Sequence, residues 1–148
     1  MNILLDNVNI FSTSGPNHFG SKLIKYLDRR GNKCMLPPQE GADIKLAFIE
    51  STQIIETTPM VLRLDGIYFD PEQNYKLRNG GIIQSYNKAD GVVFQSEFNR
   101  DICFKYFGEH KNYSVINNGA DLEYMKDIRP LGHPKLDAFE TVWCCAAS

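Results

Sequence analysis

"ADGVVFQSEFNRDICFKYFGEHKNYSVINNGAD", residues 89–121, is the stretch that decides the fold. It contains two apolar runs typical of buried strands, GVVFQ near its start and YSVIN near its end. Between them, Ser96 is a favoured helix N-cap and Gly108 a favoured helix terminator. The residues expected to share one face of that helix are Phe98, Ile102 and Tyr106. The stretch therefore predicts a strand–helix–strand unit.

The preceding residues repeat this alternation. Further strands are predicted at residues 2–10, 33–36, 44–49 and 60–64. A helix is expected to begin near Pro16 and end at Gly31, with an apolar stripe. That stripe comprises Phe19, Leu23, Tyr26 and Leu27. Residues 72–89 read as helical towards their end, with Gly80 and Gly81 dividing them. The fold class is α/β: a Rossmann-like parallel sheet with helices on both faces.

The pattern changes after the sixth strand. We expect a first domain over residues 1–125 and, over 126–138, an interdomain linker containing two prolines. Residues 139–148 include the apolar run TVWCCAAS, which predicts the first strand of a second domain that the chain does not contain. The alternative is an extra strand packed on the first domain. An unpaired apolar strand predicts self-association through 139–148, or disorder there.

Composition narrows the function classes. The 148 residues carry a net charge of −2, which does not favour a nucleic-acid partner. No apolar run is long enough to cross a bilayer, and the N-terminus lacks the features of a signal peptide. The four cysteines have no CxxC spacing and the three histidines do not cluster with them, so no metal site is expected. Reduced thiols in a cytoplasmic protein are the simplest interpretation.

Four loops that follow strands carry candidate ligand-binding residues, because open parallel sheets bind ligands beyond the carboxyl ends of their strands. The first loop, Ser12–His18, precedes a helix start that offers free N–H groups to an anion. It matches neither GxGxxG nor the GK[ST] of a P-loop, and a plain turn explains it equally well.

The second loop, "RLDGIYFD", spans residues 63–70 and delivers Arg63 and Asp65 at the end of the fourth strand, with Tyr68 close behind. A carboxylate beside a guanidinium stays ionised and accepts hydrogen bonds from sugar hydroxyls, or a proton. A structural ion pair that fixes the turn is the alternative.

The other two loops follow the fifth and sixth strands. Ser96 reads first as a helix cap and second as a ligand contact, and Glu97 suits the helix dipole without any function. The last loop, "VINNGAD", spans residues 115–121 and places Asn117, Asn118 and Gly119 just before the linker. They are either a simple turn or the floor of a cleft between two domains.

A basic stripe of Lys22, Lys25 and Arg29 lies opposite the apolar face of the first helix. A solvated helix face is one interpretation. A weak peripheral contact with anionic lipid is the other.

Four segments together resemble the N-terminal half of GT-B glycosyltransferases, and more narrowly the large family four group. They are "SGPNHFGSKLIKYLDRRG", "LRLDGIYFD", "KADGVVFQSEFNRDICFKYFG" and "YSVINNGAD". The resemblance covers roughly residues 1–125, and the run from Ala89 to Asp121 is its most specific part. It implies two Rossmann-like domains facing each other across a cleft, with the acceptor bound mainly by the N-terminal one and the nucleotide-sugar by the other.

The resemblance also assigns roles. Gly15, Pro16, Asn17 and His18 would approach the donor phosphates and sugar. Arg63 and Asp65 would face the reacting centre, and Asn117 to Gly119 would line the hinge. The implied reaction transfers a hexose from a nucleotide-sugar to an acceptor hydroxyl, with retention and without a metal or other cofactor. The basic pair and the glutamate that hold the donor in this family lie beyond Ser148, so the chain alone is expected to be inactive.

Two other functions remain open on the sequence. One is a non-enzymatic carbohydrate- or protein-binding module with the same fold. The other is a different Rossmann-like nucleotide binder, although neither phosphate-loop signature is present.

Overall fold

The structure, a computed structural model, describes residues 1–12, 14–53, 57–119 and 122–127. Its strands are β1 (Asn2–Asp6), β2 (Lys33–Met35), β3 (Ile44–Phe48), β4 (Met60–Leu64), β5 (Gly91–Phe94) and β6 (Tyr113–Val115). Its α-helices are α1 (Gly15–Asp28), α2 (Tyr75–Arg78), α3 (Gly80–Lys88), α4 (Glu97–Phe107) and α5 (Leu122–Lys126), and a 3₁₀ turn occupies Pro71–Gln73. Residues 1–118 form one compact unit, and α5 belongs to a second unit that begins at Gly119.

All the strand pairs are parallel, and the strand order is β2-β1-β3-β4-β5-β6. The chain steps from β1 outward to β2, then returns to the other side of β1 for β3. The order therefore reverses between β1 and β3, the position where doubly wound sheets leave a crevice for ligands. The predicted α/β class, with a Rossmann-like parallel sheet, is confirmed.

The two faces of the sheet have separate cores because side chains alternate along each strand. On one face, Ile3, Leu5 and Phe48 pack against α1. On the other, Leu62, Leu64, Val92 and Phe94 pack against α3 and α4. Helices therefore cover both faces. No helix among the described residues is long and apolar enough to cross a membrane.

Several predicted details need correction. The first strand ends at Asp6 rather than near residue 10, because Asn7 has a φ of 62° and turns the chain out of the sheet. Tyr26 does not join the buried stripe of α1. The residue is 51% exposed, and its ring centre lies 4.4 Å from the Arg30 guanidinium.

The buried face of α4 also differs from the prediction. Phe98 is 66% exposed, and the buried positions are Asn99 and Cys103. The Asn99 side chain donates to the carbonyl oxygen of Leu64 at 2.7 Å, which turns this polar residue towards the sheet. Residues 72–89 are divided as predicted, but the break falls at Asn79, and Gly80 and Gly81 begin α3.

Other predictions fall outside the described residues. These are most of the 126–138 linker and the whole of 139–148, including Cys144 and Cys145. Of the remaining cysteines, Cys103 is buried and Cys34 is half-buried, and both are free thiols.

Candidate functional site

The carboxyl ends of the parallel strands meet at one edge of the sheet, and two features lie there. One is a cluster of polar side chains at the ends of β4, β5 and β6. The other is a cavity beside the reversal between β1 and β3. Because ligands bind at this edge in open parallel sheets, both are candidates.

The polar cluster consists of Arg63, Asp65, Gln95 and Asn118. Register brings them together: Leu64 lies beside Phe94 and Phe94 beside Val115, so the residues that follow these strands emerge as neighbours. Arg63 and Gln95 both donate to Oδ1 of Asp65. Asn118 donates to Gln95 Oε1, and its own Oδ1 lies 3.4 Å from Arg63 Nη2. The four side chains close a ring of hydrogen bonds.

Arg63 is the fixed part of this polar cluster. The residue is only 6% exposed, and its guanidinium lies 4.0 Å from the centre of the Phe19 ring and 5.4 Å from that of Phe48. Burial lowers the pKa of Arg63, with Asp65 opposing the change. A guanidinium nevertheless remains charged at neutral pH, so Asp65 always faces a cation. Aromatic packing holds that cation in one place.

Asp65 is the reactive candidate in the polar cluster. Its Oδ1 atom accepts from two donors, while its Oδ2 atom has no partner among the described residues. Burial raises the pKa of the Asp65 carboxyl, and the opposing effects of Arg63 and Gln95 offset this only in part. A carboxylate with a raised pKa is a better proton acceptor than an ordinary aspartate.

The cavity has a volume of about 520 Å³. Its polar lining residues are Asn7, Asn9, Ser14, Asn17 and Thr52, and the other described residues that line it are apolar. Of the predicted first-loop residues, Ser14, Pro16 and Asn17 line it. Gly15 and His18 do not.

Two left-handed residues shape the floor of the cavity. Asn7 and Ile49 follow β1 and β3 with φ values of 62° and 69°. Asparagine tolerates this conformation, but a β-branched isoleucine does not, so Ile49 is a strained position. The Asn7 side chain donates to the Phe48 carbonyl oxygen at 2.8 Å, and Ile49 N–H donates to the Arg63 carbonyl oxygen at 2.9 Å. These bonds hold the two strand ends at the crevice.

The first turn of α1 forms the cavity wall. Asn17 accepts from the backbone N–H of Asn9 at 2.8 Å and donates to Ser14 Oγ at 2.9 Å. Gly20 lets the helix approach the loop after β1, because a Cβ atom there would lie 2.7 Å from a methyl of Val8. Ser14, Pro16 and Asn17 of the predicted loop therefore form one wall of the cavity.

The remaining predicted residues are dispersed. Ser96 caps α4, accepting from Asn99 N–H at 3.1 Å, which confirms its structural role. Glu97 and Asn117 are exposed. Gly119 lies in the second compact unit.

Tyr68 is 40% exposed, and its backbone is held by two hydrogen bonds with the buried Asn79 side chain. The Tyr68 ring lies 5.0 Å from the Arg78 guanidinium.

Sequence reasoning missed Gln95 and Ile49. Gln95 is the first residue after β5 and lies directly beside Asp65 in the register. It was overlooked because the next two residues, Ser96 and Glu97, match the start of a helix more clearly. Ile49 gave no signal, because isoleucine is among the least expected residues at a positive φ.

A second polar network lies on the opposite face of the sheet. Lys45 Nζ donates to Ser51 Oγ at 2.9 Å and to the Gln53 carbonyl oxygen at 2.5 Å, and it lies 3.9 Å from buried Asp6. Burial lowers the pKa of Lys45, while Asp6 opposes the change. Because the ammonium has three donors and three partners, this network fixes the loop after β3 rather than offering a binding group.

The described residues contain no group of three or more histidine, cysteine or acidic side chains positioned to hold a metal. No protein-family model, curated protein or solved structure matches the chain. Any functional assignment therefore rests on the resemblance in the sequence and on the chemistry of this edge of the sheet.

Proposed function

We propose that the chain is the N-terminal, acceptor-side domain of a cytoplasmic GT-B glycosyltransferase. The reaction is transfer of a hexose, with retention, from a nucleotide-sugar to an acceptor hydroxyl. A facing donor-binding domain supplies the contacts to the nucleotide-sugar and its leaving diphosphate. In this proposal no metal takes part, and membrane contact is limited to a weak association of the basic α1 face with anionic lipid.

One observation carries the proposal: Asp65 has one oxygen locked by two donors and the other open at the ligand-binding edge. An acceptor hydroxyl would donate a hydrogen bond to Oδ2, and the raised pKa of the carboxyl favours this bond. Arg63 and Gln95 keep the carboxylate in one orientation, so little ordering remains to be done when the acceptor binds.

Activity tests need the donor half, since the 148-residue chain alone is expected to release no nucleotide from nucleotide-sugars. A chimera of residues 1–125 with the donor-binding half of a GT-B enzyme should transfer hexose to simple glycosides. Asp65→Asn should lower kcat/KM about 10- to 100-fold, the value of a hydrogen bond to a charged group. Asp101→Asn is the matched control, because Asp101 pairs with its neighbour Arg100 on the exposed side of α4.

Two results would count against the proposal. Transfer by the isolated chain at an ordinary enzymatic rate would show that no donor half is needed. An equal loss of kcat/KM in Asp65→Asn and Asp101→Asn would show that Asp65 takes no part in the reaction.

EDTA should leave the chimera's rate unchanged. Sugar binding by the chain with no transfer by the folded chimera would instead indicate a carbohydrate-binding module.

A further inference from the structure

We infer that Asn118 is a positioning residue that acts on Asp65 through Gln95, by fixing the direction in which the Gln95 amide faces. This inference rests on the proposed function and adds a residue that controls the same site. Its starting point is the ring of hydrogen bonds in the polar cluster. There the Asn118 side chain bonds to Gln95 and Arg63, and Gln95 in turn bonds to Asp65.

The two charged members of the ring determine which way both amides face. The Asp65 carboxylate accepts hydrogen bonds and the Arg63 guanidinium donates them. Gln95 must therefore turn Nε2 towards Asp65 and Oε1 towards Asn118. Asn118 must turn Nδ2 towards Gln95 and Oδ1 towards Arg63. No other combination of the two amide orientations gives every contact a donor and an acceptor.

Asn118 stabilises the orientation in which Gln95 donates to Asp65. The last torsion of a glutamine side chain is broad, so the amide alone has little preference. With Asn118 in place, a rotated Gln95 amide would set donor against donor at one end and acceptor against acceptor at the other. The chain holds Asn118 there because Ile116 N–H, two residues earlier, donates to the Phe94 carbonyl oxygen at 2.8 Å.

The bond from Gln95 matters because burial opposes the charged form of Asp65. Burial raises the pKa of the Asp65 carboxyl, and Arg63 and the hydrogen bond from Gln95 act against this. Without that hydrogen bond, the pKa would rise further and Arg63 would be the remaining described donor to Oδ1. Asp65 would then be ionised less often, and its Oδ2 atom would be held less firmly towards the acceptor.

Asn118 is also the member of the ring that the rest of the chain can reach most directly. It is exposed and is the last residue of the first compact unit, whereas Arg63 is only 6% exposed. The state of Asp65 therefore depends on the path of the chain at the end of that unit. Since water can replace part of a hydrogen bond at an exposed position, we expect the effect of one ordinary hydrogen bond.

The first test is an NMR titration of the isotope-labelled 148-residue chain. Asn118→Leu keeps the shape of the side chain but removes its donor and its acceptor. The titration of the Asp65 carboxyl should move to higher pH, and the side-chain amide signals of Gln95 should shift. Asn87→Leu, on the exposed side of α3, is the matched control and should change neither. An unchanged Asp65 titration in Asn118→Leu overturns the inference.

A double variant shows whether Asn118 acts through Gln95. Gln95→Leu should move the Asp65 titration at least as far as Asn118→Leu does. Adding Asn118→Leu to Gln95→Leu should move it no further, because residues that act through one another are not additive. An additive double variant would mean that Asn118 acts through Arg63, which overturns the inference.

The chimera tests the consequence for transfer. Asn118→Leu should lower kcat/KM about 2- to 10-fold, the value of one hydrogen bond. It should also move the acidic limb of the pH profile to higher pH, which a merely structural role would not do. Asn87→Leu should leave the rate and the profile unchanged.

Failure of this inference and failure of the proposed function give different results. A chimera that is slowed by Asp65→Asn but not by Asn118→Leu leaves the function standing and removes the role of Asn118. The predicted titration shifts in the 148-residue chain, together with a folded chimera that transfers no hexose, do the reverse.

Discussion

At the residue scale, Asp65 gives the chain a pH-dependent stability whose sign follows from its burial. The pKa of its carboxyl is raised above the ordinary 3.8, so the folded state holds the proton more tightly than the unfolded chain does. The resulting stability is fully present below the unfolded pKa and is lost as the pH rises through the folded pKa.

Asp65→Asn isolates this effect, because the other titrating groups cancel in the comparison. The free energy of unfolding of the parent chain, minus that of Asp65→Asn, should fall as the pH rises from about 3 towards neutral. Urea denaturation at several pH values measures it. A difference that grows with pH would mean that Arg63 outweighs burial and that the pKa is lowered.

Asn99 stabilises the end of β4, which carries Asp65 of the polar cluster. Its side chain donates to the Leu64 carbonyl, one residue before Asp65, and its own N–H is capped by Ser96. Asn99→Ala should lower the free energy of unfolding by about 1–2 kcal/mol, because a buried hydrogen bond is lost. Asn87, which is exposed on α3, provides the control: Asn87→Ala should be neutral or slightly stabilising in urea denaturation. Equal effects at both positions would contradict the buried role.

The residues of the site differ in how well they can be predicted from the sequence. Arg63 and Asp65 stand out because charged residues are rare at the end of a buried apolar strand unless they are paired. Gln95 cannot be recognised as a neighbour of Asp65 without the register that places β5 beside β4. Ile49 has a positive φ that isoleucine rarely adopts. Tertiary contacts, such as the hydrogen bond from its N–H to the Arg63 carbonyl oxygen, hold this conformation.

At the element scale, two glycines of α1 make a matched pair. Ala normally stabilises a helix relative to Gly by up to about 1 kcal/mol. At Gly20 a Cβ atom would lie 2.7 Å from Val8, which is stiff at χ1, whereas at Gly15 it would meet nothing within 4 Å. Gly20→Ala should therefore lower the melting temperature and Gly15→Ala leave it unchanged or raise it. Calorimetry of the two variants checks this, and a stabilised Gly20 variant would contradict the close packing of α1.

Elements are predictable where apolar pattern and burial agree. The strands are short, mainly apolar runs, and the sequence locates each of them to within a few residues. It does not locate the buried face of α4, because Cys103, Phe104 and Phe107 pack against the core and Phe98 is left exposed. Asn99 adds a hydrogen bond to the sheet beside these apolar contacts, and no hydrophobicity count includes that bond.

At the scale of the whole molecule, the edges of the sheet matter for association. The two edge strands, β2 and β6, are each only three residues long. Short edge strands are poor templates for pairing with another chain, and Lys33 adds a charge to one of them. The described sheet therefore offers little for a second copy to extend.

Residues 139–148 are then the segment from which self-association is expected, since TVWCCAAS has high apolar content and no internal charge. Sedimentation of the parent chain should show concentration-dependent oligomers, and deletion of 139–148 should leave a monomer. Because residues 1–118 form a compact unit of their own, the deletion should change the melting temperature by no more than about 2 °C. Ser114→Lys, on the β6 edge, is the control and should leave association intact. A monomer in that variant would assign association to the sheet edge, and a large drop in melting temperature on deletion would place 139–148 in the first domain's sheet.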